Sequence, residues 1–115
     1  MSECIFCKLV KQGFEGGVIY ENDNFVSFPD INQKVDGHSL VIPKKHFDTT
    51  LDMPSTLGVE LLDCIKNTTL KLMKDNDAQG FNVVNNNFGV AGQVVDHVHF
   101  HILPRKKGDS RPICY

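Results

Sequence analysis

Asp96-His97-Val98-His99-Phe100-His101-Ile102-Leu103-Pro104-Arg105 is the stretch of sequence that decides the fold. Apolar residues and histidines alternate through it, and this alternation is typical of a β-strand, whose successive side chains point to opposite faces of a sheet. Val98, Phe100 and Ile102 should face the core, while the three histidines form one row with about 6.5–7 Å between neighbours. We expect the rest of the chain to build a scaffold and a pocket around this row.

The remaining sequence predicts four further strands and two helices. Apolar runs bounded by turn residues or proline predict strands over residues 18–20, 25–28, 39–43 and 81–84. A short helix is predicted over residues 3–12, and a long one from an N-cap at Ser55 to residue 75. One stripe of the long helix should face the core: Leu61, Leu62, Ile65, Thr69, Leu72 and Met73. The order β-β-β-α-β-β predicts an α+β fold with a five-stranded antiparallel sheet.

Length and charge limit the kind of protein. At 115 residues the whole chain, 1–115, is expected to be a single domain with a modest core, for which pairing with a second copy is a natural supplement. The formal charge of −2 gives no support to binding of nucleic acid or anionic membranes. No apolar run approaches the ~20 residues of a membrane span, and the N-terminus lacks a signal-peptide pattern. We therefore expect a cytoplasmic protein that binds neither nucleic acid nor a membrane.

The four cysteines divide into one pair and two single residues. Cys4 and Cys7 form a C-x-x-C pair, which is half of a zinc site, a redox pair or a coincidence. A redox pair of the thioredoxin type opens a helix after a strand, whereas this pair lies almost at the chain start. Metal binding is the better functional interpretation if two more ligands exist. Cys64 suits core packing, and Cys114 carries no signal.

Two chemistries suit the histidine row. Imidazoles on one strand face can bind a transition metal, with a further histidine or carboxylate completing the site. Alternatively, one histidine attacks an electrophile while its neighbours orient it and stabilise charge. A phosphoryl group suits the second possibility, because a neutral imidazole is a good nucleophile toward phosphorus and a second imidazole can donate to the phosphoryl oxygens.

Several separated motifs together resemble the histidine triad (HIT) family. The segment from His97 to Leu103 has the family's His-x-His-x-His-x-x form, with apolar residues between the histidines. The segments Cys4–Lys8, Phe28–Ile31, Gly37–His46 and Ala91–Gln93 resemble further family blocks in the same order. The resemblance runs from Cys4 to Arg105, which is nearly the whole chain, and agreement of several motifs makes it specific.

The resemblance implies a homodimer that binds a purine nucleotide and cleaves P–N or P–O–P bonds at the α-phosphate of a nucleoside monophosphate. It makes His99 the nucleophile that forms a nucleotidyl-histidine intermediate, places His101 on the phosphate, and puts Gln93 near the bond being broken. The other nucleotide-binding positions that it implies are Phe28, Asp30, Ile31, Asn86, Gly92 and Val94. Val94 departs from the family, because phosphoramidase-type members often carry a phosphate-contacting serine there. Dinucleoside polyphosphate hydrolysis and nucleotide binding with little turnover are the alternative functions.

The resemblance also implies a metal site. The Cys2His2 zinc site of the wider superfamily maps onto Cys4, Cys7, His46 and His97, where it would have a structural role. No organic cofactor is expected. His38 is expected to support the sheet or the site, and Tyr115 lies where other members carry an aromatic that reaches the partner's pocket.

Overall fold

The computed structural model describes residues 4–109, so Glu3, Cys114 and Tyr115 lie outside the described residues. The helices are α1 (Ile5–Gln12) and α2 (Gly58–Asp75), with short 3-10 turns at Ser55–Leu57 and Gly89–Ala91. The strands are β1 (Tyr20–Glu21), β2 (Phe25–Pro29), β3 (Ser39–Pro43), β4 (Gly80–Val84) and β5 (Phe100–Arg105). They form one sheet in the order β1-β2-β3-β5-β4, and every neighbouring pair is antiparallel. The predicted α+β fold is confirmed. Within residues 4–109, no helix is both long and apolar enough to cross a membrane.

The two faces of the sheet carry different cores. On the α2 face, Val98, Phe100 and Ile102 pack with residues of the other strands and the helix: Phe25, Val41, Cys64 and Leu72. On the α1 face, a second cluster comprises Phe6, Val26, Phe28, Leu40 and Ile42. The predicted alternation through the histidine stretch is therefore confirmed, and the three histidines lie on the α1 face, where the rings of His97 and His99 contact Phe6.

The histidine strand begins later than predicted. The ladder between β3 and β5 ends at the Val41–Phe100 pair, so His97 and His99 precede the strand. Continuing the register would bring Pro43 into the ladder, and proline has no N–H to donate. On the β4 side, the side chain of Asn85 donates to the carbonyl of His99 at 3.0 Å in place of a backbone donor. Residues 97–99 thus lie outside the ladder and bond instead to the side chain of Asn85 and the backbone carbonyl of Phe47.

Two predictions on the long helix are wrong. Ser55 lies inside the 3-10 turn and does not cap α2, which starts at Gly58 without a side-chain cap. Leu62 is 57% exposed, whereas Cys64 and Thr68 are fully buried. Thr68 can be buried because its hydroxyl donates to Ser27 Oγ at 2.6 Å on β2, so the buried stripe of the helix includes this polar residue. The first strand is also shorter than the predicted residues 18–20, since β1 spans only Tyr20–Glu21.

Candidate active site and metal centre

A cavity of about 1080 Å³ lies on the α1 face of the sheet. It is bounded by α1, the glycine-bearing segment after α1, the end of β2 and the residues before β5. The predicted nucleotide-binding residues that line it are Phe28, Asp30, Ile31, Asn86, Gly92, Val94, His99 and His101. The structure thus brings these residues together around one space, although they come from segments far apart in the sequence.

Aromatic rings form part of the cavity wall. The rings of Phe14 and Phe28 lie 4.6 Å apart between centroids at an interplanar angle of 34°, and Phe6 meets Phe28 edge to face at 5.8 Å. Leu9 and Leu40 also line the cavity. An apolar, aromatic wall of this kind suits a planar heterocycle. The sequence interpretation missed Phe6, Leu9 and Phe14, which were visible only as the apolar face of the first helix and a phenylalanine in the loop after it.

Two residues that line the same cavity carry hydrogen-bond donors without partners. Among the described residues, neither the side-chain amide of Asn86 nor the backbone N–H of Val94 has a hydrogen-bond partner, and both residues line the cavity. Gly92 adopts a φ of +98°, a conformation that favours glycine, and its N–H donates to the carbonyl of Gly89 at 3.0 Å. The free donor of this turn is therefore the N–H of Val94 rather than that of Gly92.

The side chain of Gln93 lies elsewhere than predicted. It is 6% exposed and does not line the cavity. Its Nε2 donates to the carbonyls of Asp48 at 2.6 Å and Val95 at 3.0 Å, and its Oε1 accepts the N–H of Phe88 at 2.7 Å. Both N–H donors and the oxygen of the amide have partners within the protein, so Gln93 supports the cavity wall from behind.

His99 is held in one tautomer. Its Nδ1 lies 2.8 Å from the carbonyl of His97, and a carbonyl accepts only, so Nδ1 carries the proton. The Nε2 of the neutral ring then keeps its lone pair. His99 is buried and lines the cavity, with its ring 5.1 Å from that of His101. This arrangement is the one that a nucleophilic imidazole requires.

A chain of hydrogen bonds fixes the opposite tautomer in His101. The N–H of Lys34 donates to His38 Nδ1 at 3.1 Å, so the proton of neutral His38 sits on Nε2. That Nε2 donates to His101 Nδ1 at 2.9 Å, which leaves the proton of His101 on its own Nε2. His101 is thereby a donor toward the cavity, while His99 is an acceptor. The same protonation disfavours a metal ion between His38, His101 and the nearby Asp30, although their ligand atoms cluster.

Burial keeps this histidine pair neutral. It lowers the pKa of His101 to about 4, and a positive charge on a protonated His99 or His38 would lower it further. Burial also lowers the pKa of His38, against the raising effect of Asp30, whose carboxylate lies 3.4 Å from His38 Nε2. The supporting role predicted for His38 has a definite form, because it sets the tautomer of His101.

The two cysteines and two histidines of the predicted metal set do converge. The ligand atoms of Cys4, Cys7, His46 and His97 all lie within 4.8 Å of one another. His97 Nδ1 is 3.4 Å from Cys4 Sγ and 3.6 Å from Cys7 Sγ, and His46 Nδ1 is 3.3 Å from Cys7 Sγ. Ordinary Zn–S and Zn–N bond lengths in a tetrahedron place sulfur and nitrogen ligands about 3.5 Å apart. The cluster therefore has the donor set and the size of a structural zinc site.

Outer hydrogen bonds prepare both histidines for a metal. His97 Nε2 lies 2.9 Å from the carbonyl of Pro43, and His46 Nε2 lies 2.7 Å from a carboxylate oxygen of Asp48. Both Nε2 atoms therefore act as donors, and both Nδ1 lone pairs turn toward the cysteines. Metal-bound histidines generally donate their other ring N–H to a carboxylate or carbonyl in this manner.

Comparisons with known proteins agree with these features. The family model described as HIT domain matches residues 12–108. An uncharacterized HIT-like protein of Methanocaldococcus jannaschii is 44% identical over 114 residues, which cover 97% of this chain and 86% of that protein. An adenosine 5'-monophosphoramidase of Candida albicans is 38% identical over 109 residues, or 91% of this chain and 72% of that enzyme. The structure of a zinc-bound histidine triad family protein of Mycobacterium smegmatis matches with a TM-score of 0.87 and 31% identity, covering 96% of this chain and 81% of that one.

We predict that His101 makes the protein less stable in acid. Its pKa is about 4 in the folded protein, against an ordinary value of 6.5, so between these values the unfolded chain binds a proton that the folded chain does not. The free energy of unfolding should therefore fall as the pH drops from 6.5 to 4, by about 3 kcal/mol from this residue. Urea unfolding of wild type and His101→Gln at pH 7, 6, 5 and 4.5 measures the difference.

The variant serves as its own control, because the other titratable groups that face His101 (His38, Asp30, Lys34 and His99) remain in it. The difference in stability between the two proteins should shrink or reverse in sign as the pH falls. Parallel pH profiles for the two proteins would show that His101 takes up no extra proton on unfolding.

Proposed function

The chain belongs to the histidine triad (HIT) family, and from this premise we propose that it is a purine nucleotide-binding hydrolase or transferase. It cleaves P–N or P–O–P bonds at the α-phosphate of a nucleoside monophosphate through a nucleotidyl-histidine intermediate. The observation that carries the proposal is the opposite protonation of two adjacent histidines in the cavity, with an acceptor Nε2 on His99 and a donor Nε2 on His101. Two groups so prepared match the needs of attack on a phosphoryl group.

In the first step, the lone pair of His99 Nε2 forms a bond to the α-phosphorus and the bond to the leaving group breaks. A departing amine takes up a proton from solvent. The ring of His99 becomes positively charged once it carries the nucleotidyl group, and its Nδ1–H then donates to the carbonyl of His97 as a charge-assisted hydrogen bond. The backbone carbonyl thus stabilises the intermediate as well as orienting the nucleophile.

Three donors stabilise the phosphoryl oxygens in this proposal. They are the Nε2–H of His101, the amide of Asn86 and the backbone N–H of Val94, all on residues that line the cavity. In the second step, water attacks phosphorus and releases one proton to solvent, and the P–N bond breaks with its electron pair returning to His99 Nε2. The nucleotide leaves with a hydroxyl in place of the original leaving group. The same three donors serve both steps because the charge on the oxygens develops similarly in each.

The nucleoside occupies the apolar part of the cavity. Phe14, Phe28 and Ile31 supply apolar walls for the base, and Asp30 supplies a carboxylate for the ribose hydroxyls. One carboxylate oxygen of Asp30 already accepts the N–H of Asn32 at 2.9 Å, which fixes the orientation of the group. Gln93 makes no direct contact with the nucleotide in this account.

A specific observation supports dinucleoside polyphosphates as the alternative substrate class. Lys34 lines the cavity, and among the described residues no carboxylate lies within ion-pairing distance of its ammonium group. A cation beside the phosphate-facing histidine favours leaving groups with additional negative charge. Side-by-side assays of adenosine 5′-phosphoramidate and diadenosine polyphosphates rank the two classes, and nucleotide binding without turnover on any of them would favour the third possibility, a binding module.

Replacement of His99 should abolish turnover while leaving nucleotide binding. Wild type mixed with adenosine 5′-phosphoramidate should release AMP and show an adenylate adduct by intact-protein mass spectrometry. His99→Ala should lose the adduct and about 10⁴-fold or more of kcat, because a lost nucleophile is not replaced by its neighbours. The affinity for AMP, measured by calorimetry, should change far less.

His38→Ala is the matched control, since it removes a buried histidine of the same cluster that does not act as nucleophile. It should lower kcat by disturbing the tautomer of His101, yet still form the adduct. Turnover by His99→Ala at the wild-type rate would refute the mechanism.

The cysteine-histidine cluster binds zinc in this proposal. Zinc there supplies no chemistry to the reaction and cross-links the N-terminal segment to the sheet, as expected of a site closed by four protein ligands. The zinc-bound state of the Mycobacterium smegmatis protein supports this assignment. The donor set and the outer hydrogen bonds of His46 and His97 support it independently.

Elemental analysis should find one zinc ion per chain in wild type. Cys7→Ser should lose it, whereas Cys64→Ser should retain it, because Cys64 is buried away from the cluster and burial raises the pKa of its thiol to about 11. Equal zinc content in the two variants, or none in wild type, would contradict the assignment.

The protein also forms a homodimer in this proposal, with β4 as the contact. Of the two sheet edges, β1 is only two residues long, whereas β4 is five residues long and has Phe81 and Val83 exposed. Strand β4 also contains no lysine or proline, the residues that commonly prevent an edge strand from pairing with another chain. Antiparallel pairing of β4 with its copy satisfies the open backbone groups about a two-fold axis. A second copy of the chain is thus the occupant that this edge fits.

Sedimentation analysis should give wild type twice the chain mass of 12.9 kDa. Val83→Lys should reduce it to the monomer, since a charge on an edge strand opposes pairing. Val18→Lys, at a valine of the same exposure (43% against 42%), is the control and should remain dimeric. A monomeric wild type, or two variants of equal mass, would exclude β4 as the contact. Location in the cytoplasm stays a prediction.

A further inference from the structure

The cavity wall and the cysteine-histidine cluster are joined by one buried amide. Gln93 follows Gly92 and precedes Val94, both of which line the cavity, but its own side chain points to the back of the wall. Its Nε2 donates to the carbonyl of Asp48 at 2.6 Å. The carboxylate of the same Asp48 accepts the Nε2–H of His46 at 2.7 Å, and His46 Nδ1 belongs to the cluster. Only two hydrogen bonds therefore separate a cluster ligand from the loop that lines the cavity.

The other end of the amide holds a constrained turn. Phe88 adopts φ +72° and ψ 151°, a conformation rare for a residue with a side chain. Such a residue costs of order 1–3 kcal/mol and persists only when its surroundings enforce it. Gln93 Oε1 accepts the N–H of Phe88 at 2.7 Å, and the carbonyl of Phe88 accepts the N–H of Gln93 at 3.2 Å. The segment over residues 88–95, here called the cavity loop, is therefore closed by backbone bonds within the turn and by the side chain of Gln93 across its ends.

The segment after the cavity loop is tied to the same place by independent bonds. The N–H of Val98 donates to the carbonyl of Phe47 at 2.7 Å. His97 contributes its Nδ1 to the cluster and its carbonyl to the Nδ1–H of His99. The residues around His46 thus anchor the cavity loop through Gln93 and the nucleophile through His97. A change in the mobility of the cluster can therefore reach the site in two ways, through Gln93 to the cavity loop and through His97 to His99.

We propose that Gln93 is a positioning residue that couples the cavity loop to the cysteine-histidine cluster, so that a metal ion bound in the cluster orders the loop for catalysis. Without the metal, His46 loses one bond and keeps its weaker contacts with Asp48 and Cys7. Its greater freedom of movement displaces Asp48 and with it the acceptor of Gln93. The Val94 N–H and the Asn86 amide then lose their common orientation toward the phosphoryl group. The catalytic half of this inference rests on the proposed function, whereas the structural half does not.

Hydrogen exchange measured by mass spectrometry tests the structural half without any substrate. In zinc-loaded wild type, peptides that cover the cavity loop should exchange more slowly than in chelator-treated protein, by about 5- to 150-fold, which is the usual range of coupling between two sites. Peptides from α2 serve as the internal reference for global unfolding. In Gln93→Met, the loop should exchange fast with or without zinc, and the ratio should fall below about 2-fold.

Two further variants make the comparison specific. Gln79→Met removes an exposed glutamine that also bonds only to backbone groups, and it should keep the wild-type ratio. Gln93→Glu keeps the size of the side chain and an acceptor for Phe88 but places a carboxylate against two carbonyl oxygens. It should lose the coupling at pH 7 even if Gln93→Met does not fold. A wild-type exchange ratio in both Gln93 variants, or no effect of zinc on the loop in wild type, would overturn the inference.

Kinetics test the catalytic half. Chelation should lower kcat of wild type with adenosine 5′-phosphoramidate more than it changes KM, since the loop acts on the phosphoryl group rather than on the base. Gln93→Met should have a low kcat that chelation lowers little further, because both changes remove the same support. Additive effects of the two changes would contradict the positioning role. If wild type has no turnover but zinc still slows exchange in the loop, the proposed reaction is wrong and the coupling is correct. If turnover is normal but zinc does not affect exchange in the loop, the proposed reaction is correct and the coupling is wrong.

Discussion

The buried imidazole of His97 is the constraint on which the site depends. Its Nδ1 lies among the cysteines, its Nε2–H donates to the carbonyl of Pro43, and its own carbonyl accepts the Nδ1–H of His99. The side chain is fully buried, and leaving one of its polar groups without a partner costs about 1–3 kcal/mol. One residue therefore links the N-terminal helix, the end of β3 and the neighbouring histidine, and the protonation of that histidine follows from the link.

The row of three histidines is in consequence a set of three different groups. His97 serves the cluster, His99 carries a lone pair on Nε2, and His101 carries a proton on Nε2. The differences arise outside the row, from the carbonyl of His97 in one case and from the chain of Lys34 and His38 in the other. Since both catalytic groups already carry the correct tautomer, little rearrangement of protons is needed before attack. The fold thus gives the three histidines of a repeated sequence pattern three different roles.

Much of this could be predicted from the sequence, because it depends on patterns of two or a few residues. Strand β3 has the predicted bounds, Ser39–Pro43, since a run of apolar residues stops at a proline. The C-x-x-C pair demanded two more ligands, and only a few histidines were available to supply them. The central strand was predicted too long because the end of a ladder depends on its partner, here Pro43, and not on the alternation of the strand itself.

Other features depend on contacts that no local pattern records. Thr68 is buried because Ser27, forty-one residues earlier, accepts its hydroxyl proton. Gln93 lies in the expected loop, but its side chain points to Asp48 because Phe88 closes the loop. The positive φ of Phe88 could not be predicted from the sequence. Of three consecutive asparagines, only Asn86 lines the cavity, since Asn85 and Asn87 bond to each other and to Thr50. Tertiary hydrogen bonds decided each of these positions.

The proposed chemistry depends on opposite tautomers in the two cavity histidines, His99 and His101. Nitrogen-15 NMR of histidine side chains at neutral pH measures this directly, because protonated and unprotonated ring nitrogens differ in chemical shift and in their couplings to the ring carbon-bound protons. We predict that His99 carries its proton on Nδ1, whereas His38 and His101 carry theirs on Nε2. A His99 ring protonated on Nε2 would leave no nucleophilic nitrogen facing the cavity and would contradict the account.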